Sequence, residues 1–228
     1  MTLLLILGTM LLAMYAQWKV SSSYRRYSQV PASSGYTGAE IAQRILDLNG
    51  IRDVSIHASP GHLVDHYDPT NRRLVLSEEN YYGQSVAALG ISAHECGHAI
   101  QHAKAYAPLQ WRMAAVGITT MAGNLIPILA IGGWFLAPKI VFPMLAVAFG
   151  IVMLFQLVTL PVEFDATARA KSILAGTGAV AQGPEFAAMS KVLDSAALTY
   201  VAAFLSALAS FLHYALPLLL GGRNDDEG

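Results

Sequence analysis

The chain has 228 residues, of which 54% are hydrophobic and only 13% are charged, whereas an ordinary soluble domain carries about 25% charged residues. This composition excludes a disordered protein, and the single cysteine, Cys96, excludes a disulfide scaffold. A formal net charge of −1 excludes general electrostatic attraction to nucleic acid, so we expect no nucleic-acid partner. The composition indicates that lipid is the solvent for part of the chain.

Four uncharged apolar runs predict a mainly α-helical, multi-pass membrane bundle of about four spans. The runs are 2–17, 113–138, 140–162 and 196–220. A bilayer core needs about 20 helical residues, which the last three runs supply. The first run is shorter and has the length of a signal peptide, but its positive charges follow it instead of preceding it. We therefore expect it to be retained as an anchor.

The basic residues predict the orientation of these spans. Of the 14 lysines and arginines, twelve lie in segments 18–112 and 163–195, and only Lys139 and Arg223 lie on the other side. The positive-inside rule then places both polar segments in the cytoplasm of a cell (inner) membrane protein. The predicted order is an anchor (1–17), a cytoplasmic domain (18–112), a transmembrane hairpin (113–162), a cytoplasmic helical segment (163–195), a transmembrane helix (196–220) and an acidic tail (221–228).

Segment 18–112 has the pattern of a small α+β domain. Apolar residues at helical spacing predict a helix over Gly38–Leu48, which Asn49 and Gly50 end. Segments 54–57 and 73–76 read as short strands separated by turn residues, and 85–104 reads as a second helix. This second helix is too polar in its second half to span a bilayer.

The predicted helix 85–104 contains the pattern H-E-x-x-H at residues 94–98. Four-residue spacing places the imidazoles of His94 and His98 one turn apart on one face, so both can reach one metal ion. Glu95 is rotated by about 100° from His94. There it can accept a proton from a water whose pKa a zinc ion lowers. The pattern predicts Zn²⁺ as the cofactor and Glu95 as the catalytic base.

A catalytic zinc site needs a third protein ligand and leaves a fourth position open. The candidates are His102, Glu163 and Asp165. His102 lies two turns from His94, and Gln101 stands where the pattern H-E-x-x-H-x-x-G-x-x-H requires a glycine. Glu163 directly follows the third apolar run, and the predicted topology returns it to the side of His98. We therefore prefer Glu163 as the ligand, with Asp165 at the start of a helix or in support of the site.

Long motifs in the chain resemble those of the YugP-type neutral zinc metallopeptidases of bacterial membranes. The motifs are the segments 65–69 (DHYDP), 74–78 (LVLSE), 87–90 (AALG), 93–103 (AHECGHAIQHA) and 161–166 (PVEFDA). The resemblance runs from the anchor to the last span and implies a zincin-like protease domain in the cytoplasm.

A more distant similarity concerns the third ligand. Segment 163–167 is similar to the E-x-x-A-D element of the HtpX and CaaX-processing membrane metalloproteases. The leading glutamate of that element is the third zinc ligand, and it maps to Glu163. Thr167 stands where the element has aspartate, so a hydroxyl would replace the carboxylate there.

Other residues near these motifs are weaker candidates. His66, Asp165 and Thr167 are candidates for supporting the ligands or for stabilising the oxyanion of the reaction. The spacing of His57, His62 and His66 matches no standard metal site. The predicted strand 73–76 either pairs with an extended peptide substrate or lies inside the sheet.

Together these features predict a gluzincin-like, membrane-embedded zinc metalloendopeptidase. His94, His98 and Glu163 would hold the metal, and the substrates would be membrane-associated or misfolded proteins at the cytoplasmic face. Two alternatives stay open: an intramembrane zinc protease, and a non-enzymatic zinc-containing membrane adaptor with a fourth protein ligand such as His102. The expected partners are the bilayer and peptide or protein substrates, and the sequence predicts no oligomeric state.

Overall fold

A computed structural model describes residues 2–133 and 138–221. The chain forms two compact units, which we call the helical unit (Met1–Tyr15, Trp111–Leu160 and Tyr200–Gly228) and the mixed unit (Ala16–Gln110 and Pro161–Thr199). The acidic tail predicted for 221–228 lies outside the described residues, apart from Gly221.

Four long helices supply all regular structure of the helical unit in the described residues. These are α1 (Thr2–Tyr27), α5 (Ala107–Gly132), α6 (Pro138–Thr177) and α7 (Pro184–Gly221). All four are long and apolar enough to cross a membrane, which confirms the expectation of four candidate spans. All four helices extend past the predicted apolar runs: α1 and α6 continue into the mixed unit, and α5 and α7 begin there.

The mixed unit begins with the predicted helix α2 (Gly38–Leu48). Its N-terminus is a capping box, in which the Glu40 backbone N–H donates to the Thr37 hydroxyl while the Thr37 backbone N–H donates to the Glu40 carboxylate. Its apolar face, which includes Ile41 and Ile45, is fully buried in the core of the unit. The helical spacing of apolar residues thus forms one buried stripe.

A three-stranded sheet packs in the same unit. Its strands are β1 (Ser55–Ser59), β2 (His66–Asp68) and β3 (Arg73–Ser77), in the order β1-β3-β2. β3 pairs parallel with β1 and antiparallel with β2. The two strands predicted from sequence are confirmed, whereas β2 was not predicted. Since β3 is central, segment 73–76 is an internal strand, and its edges are not open to a substrate peptide.

Two further helices complete this part of the unit, the short α3 (Glu78–Tyr81) and the predicted helix α4 (Val86–Ala103). The Ser85 hydroxyl caps α4 by accepting from the Ala88 backbone N–H at 3.1 Å. Most of α4 is buried, and Cys96 belongs to the hydrophobic core, where burial raises the pKa of its thiol. An inert core cysteine agrees with its position off the face that carries His94 and His98.

Candidate metal centre

Two helices of the mixed unit, α4 and the later part of α6, bring three metal-binding side chains together. His94 and His98 project from α4 with ring centroids 4.8 Å apart, and Glu163 projects from α6. Glu163 Oε2 lies 3.2 Å from His94 Nε2 and 3.5 Å from His98 Nε2. Among the described residues this is the one group of three such side chains whose donor atoms all lie within 4.8 Å of one another. The three residues preferred as ligands from the sequence therefore meet.

A glycine permits this meeting of the helices. A Cβ built on Gly97 would lie 2.8 Å from the Ala166 carbonyl oxygen and 3.0 Å from the Ala166 Cα. These are backbone atoms, so α6 could not yield without moving as a whole. Gly97 is one of the two unspecified positions of H-E-x-x-H, and its lack of a side chain lets Glu163 reach the histidines.

Gln101 connects the two helices beside the group of His94, His98 and Glu163. Its side-chain Nε2 donates to the Val162 carbonyl oxygen at 2.7 Å and to Asp165 Oδ2 at 2.8 Å. Both partners are acceptors, so the amide orientation is determined, and Oε1 faces His98 Nδ1 at 3.0 Å. His98 Nδ1 therefore carries a proton, so in the neutral imidazole Nε2 is the atom that can bind a metal. Sequence reasoning missed this role, although its position three residues after His98 was a usable signal.

The two supporting residues predicted on α6 also lie close by. The Thr167 hydroxyl lies 3.3 Å from Nδ1 of His94. The other ring nitrogen of His94, Nε2, faces Glu163. Asp165 accepts from Gln101 and, at 2.6 Å, from Arg169 Nε, so its hydrogen bonds go to these two side chains and not to a histidine of the described residues. Thr167 thus contacts His94 directly, and Asp165 contacts His98 only through Gln101.

The electrostatics of the cluster favour positive charge. Burial alone would lower the pKa of His98, but its hydrogen bond to Glu163 and the charges of Glu95 and Glu163 raise the pKa above its ordinary value. The Glu163 side chain is 1% exposed, while those of His94 and His98 are 13% and 11% exposed. A buried carboxylate surrounded by imidazoles is stabilised by a cation.

The donor set fits zinc. Two imidazole nitrogens and one carboxylate oxygen are a ligand set of catalytic zinc sites, which keep the fourth position open. Each histidine also has a polar partner on Nδ1, which is the arrangement that orients zinc-binding imidazoles. The two histidine side chains keep a small exposed surface, so solvent contacts the edge of the group.

The other predicted residues lie in different places. Glu95 is buried beside the cluster with 8% of its surface exposed. His66 is exposed on β2, with its Nδ1 2.8 Å from the Val64 carbonyl oxygen. His102 Nδ1 lies 2.9 Å from the Tyr67 hydroxyl, and His102 does not join the three-residue group. His62 pairs with Glu79 at 3.1 Å.

Comparison with known proteins agrees with this geometry. The family model described as "Putative neutral zinc metallopeptidase" matches residues 2–218. The chain is 43% identical over 215 residues to a Bacillus subtilis (strain 168) protein named "Putative membrane protease YugP". The aligned residues make up 94% of this chain and 95% of that protein. No solved structure matches the chain.

Proposed function

Because the chain belongs to the neutral zinc metallopeptidase family, we propose that it is a gluzincin-like membrane endopeptidase for membrane-associated or misfolded proteins. The observation that carries this proposal is the buried group of His94, His98 and Glu163 with Glu95 next to it. Metal-assisted hydrolysis of a peptide bond uses a Lewis acid and a general base that lie close together. The group contains residues suited to both tasks.

Each residue of the site has a distinct task in this mechanism. His94, His98 and Glu163 would hold Zn²⁺, which when bound lowers the pKa of a water molecule and polarises a peptide carbonyl. Glu95 accepts the proton of the attacking water and donates it to the nitrogen of the leaving amine. Gln101 and Thr167 keep the imidazoles oriented during this cycle by holding Nδ1 of His98 and of His94.

The fourth ligand position favours catalysis over a structural zinc site. A structural site would need one more protein ligand, and the sequence candidate was His102. His102 is bonded to Tyr67 and stands one helical turn beyond His98. No fourth side chain joins the group within residues 2–133 and 138–221. Water and a substrate carbonyl are then the natural occupants.

Two features of the sequence support the proposed substrates and the cytoplasmic location of the site: the position of Glu163 and the distribution of basic residues. Glu163 is the first charged residue after the apolar run 140–162, and both lie in the single helix α6. Twelve of the 14 basic residues flank the apolar runs on the side predicted to be cytoplasmic. We infer that the mixed unit cleaves proteins close to the cytoplasmic surface of the membrane.

The activity is tested on the full chain purified in detergent, by measuring bound zinc and cleavage of casein. Glu95→Gln should keep zinc and lose cleavage, because the ligands stay and the base is neutralised. Glu163→Ala should lose both. Glu78→Gln removes the same charge at an exposed residue of α3 and should change neither. Full zinc content in Glu163→Ala would contradict the ligand set, and cleavage by Glu95→Gln would contradict the base.

The orientation is tested separately by thiol labelling in intact cells. Cys96 is buried and unreactive, so a cysteine introduced at the exposed Arg52 reports on the mixed unit. A membrane-impermeant thiol reagent should label Arg52→Cys only after the cells are lysed. Labelling in intact cells would place the mixed unit outside and contradict the cytoplasmic assignment.

A further inference from the structure

A second polar feature of the mixed unit lies between the end of α1 and the start of α7. It is an open cleft of about 430 Å³ lined by Lys19, Ser22, Ser23, Arg26, Tyr27, Lys191, Asp194 and Ser195. None of these residues belongs to the metal centre. We call it the basic cleft because three of its side chains are cations.

The charge balance of the basic cleft is positive. Its acidic residue, Asp194, is neutralised by Lys171, whose Nζ lies 2.6 Å from Asp194 Oδ1. Among the described residues, neither Arg26 nor Lys191 forms an ion pair, although Arg26 lies over the ring of Tyr27. Arg26 and Lys191 therefore supply positive charge that the acidic residue of the cleft does not balance, which is the chemistry that binds a phosphate group.

The position of the cleft along both helices indicates the kind of phosphate. In α1, the apolar run 2–17 is followed by Trp18 and then by Lys19. In α7, Ser195 directly precedes the apolar run 196–220. Trp18 is 61% exposed, and exposed tryptophans are typical of the membrane–water interface. Each helix thus changes from apolar to polar at the cleft.

We propose that the basic cleft binds the headgroup of an anionic phospholipid. The phosphate would lie beside Arg26 and Lys191, with Lys19 as a third cation of the lining, and the acyl chains would leave the cleft where α1 and α7 each become apolar. Basic pockets beside transmembrane helices recognise anionic headgroups by this combination of charge and neighbouring apolar surface. A soluble phosphate would use the same cations but would gain nothing from the apolar runs.

The experiment is native mass spectrometry of the full chain in non-ionic detergent, with phosphatidylglycerol and phosphatidylcholine of identical acyl chains. The native chain should retain phosphatidylglycerol in preference to phosphatidylcholine, and added salt should weaken this preference. Each neutralised cation should reduce phosphatidylglycerol affinity about fivefold. The variant with Lys19→Gln, Arg26→Gln and Lys191→Gln should show no preference.

Two controls keep the result decisive. A variant with Arg44→Gln, Arg52→Gln and Lys104→Gln removes three exposed charges of the mixed unit outside the cleft and should keep the preference. If the triple variant of the cleft does not fold, the single change Lys191→Gln replaces it. Lys191 is exposed, and this change should lower the affinity for phosphatidylglycerol about fivefold. Equal binding of both lipids by the native chain, or equal loss in the control variant, would overturn the proposal. Displacement of phosphatidylglycerol by an equal concentration of inorganic phosphate would also overturn it, in favour of a soluble-anion site.

Discussion

The two units place large apolar side chains in opposite environments. In the mixed unit, Ile41, Ile45 and Leu46 have no exposed surface. In the helical unit, Leu4 is 73% exposed and Leu219 is 74% exposed. Apolar side chains leave water by packing against one another, but in a bilayer the lipid already solvates them. Side chains of similar hydrophobicity therefore form a buried core in the mixed unit and an exposed surface suited to lipid in the helical unit.

The polar side chains differ in the same way. In the mixed unit Gln101 bonds across to α6, more than sixty residues away in sequence. In the helical unit the hydroxyls of Thr119 and Thr120 donate to the carbonyl oxygens of Ala115 and Val116 on their own helix. Hydroxyls satisfied within one helix suit a lipid environment, whereas bonds between elements build a site.

The largest expected contrast comes from a charge placed at two equally exposed sites. Ile128 on α5 and Leu48 at the end of α2 are each 63% exposed. Ile128→Lys should cost up to about 3 kcal/mol of membrane insertion, because a lysine within the apolar part of α5 loses its hydration. Leu48→Lys should change stability by less than about 0.5 kcal/mol, since water surrounds it. The effect of Ile128→Lys is measured as the inserted fraction in cell-free translation with membranes. The effect of Leu48→Lys is measured by thermal unfolding in detergent. Equal tolerance of both changes would break the comparison.

A smaller contrast compares two glycines. Gly97→Ala should destabilise the mixed unit by about 1–3 kcal/mol, because the new methyl group collides with the backbone at Ala166. It should also lower zinc affinity, since the collision moves Glu163 away. Gly117 on α5 has no neighbouring atom within 4 Å of the place that a Cβ would take, so Gly117→Ala should not destabilise. Denaturation in detergent and zinc titration test the pair. Unchanged zinc affinity in Gly97→Ala would show that the close approach is not required.

Gln101 offers a test of the polar bridge itself. Gln101→Leu should lower zinc affinity about 10- to 100-fold, the usual effect of removing a group that orients a ligand. Gln43→Leu is the matched control, because Gln43 is exposed and bonds to Asp47 within α2. Competition with a zinc chelator measures both affinities. Native affinity in Gln101→Leu would mean that packing alone orients His98.

The smallest expected effect concerns the helix cap of α2. Thr37→Ala should destabilise the mixed unit by about 1 kcal/mol, because the Glu40 backbone N–H loses its acceptor. Thr120→Ala in α5 removes a hydroxyl that bonds within its own helix and should change stability by less than about 0.5 kcal/mol. Chemical denaturation of the full chain compares the two. An equal cost would contradict the expectation that a capping hydroxyl contributes more to stability than a hydroxyl that bonds within its own helix.

Much of the site could be predicted because its signals are local. The four-residue spacing of His94 and His98 is a property of one helix, and Glu163 was marked by its position after an apolar run. Gln101 stood out in the sequence only as a departure from a glycine-containing pattern. The three-residue spacing from His98 indicates a contact with that histidine, but the bridge to Val162 and Asp165 on another helix has no local signal.

Periodicity and composition within single segments are enough to specify the four apolar helices and the helix that carries H-E-x-x-H. The other features depend on how these segments pack. The central position of β3, the contact of Gly97 with Ala166 and the hydrogen bond from Gln101 to Val162 each involve residues distant in sequence. Close packing of α4 against α6 is the physical reason, since the position of Glu163 depends on the whole helix and on no spacing inside it.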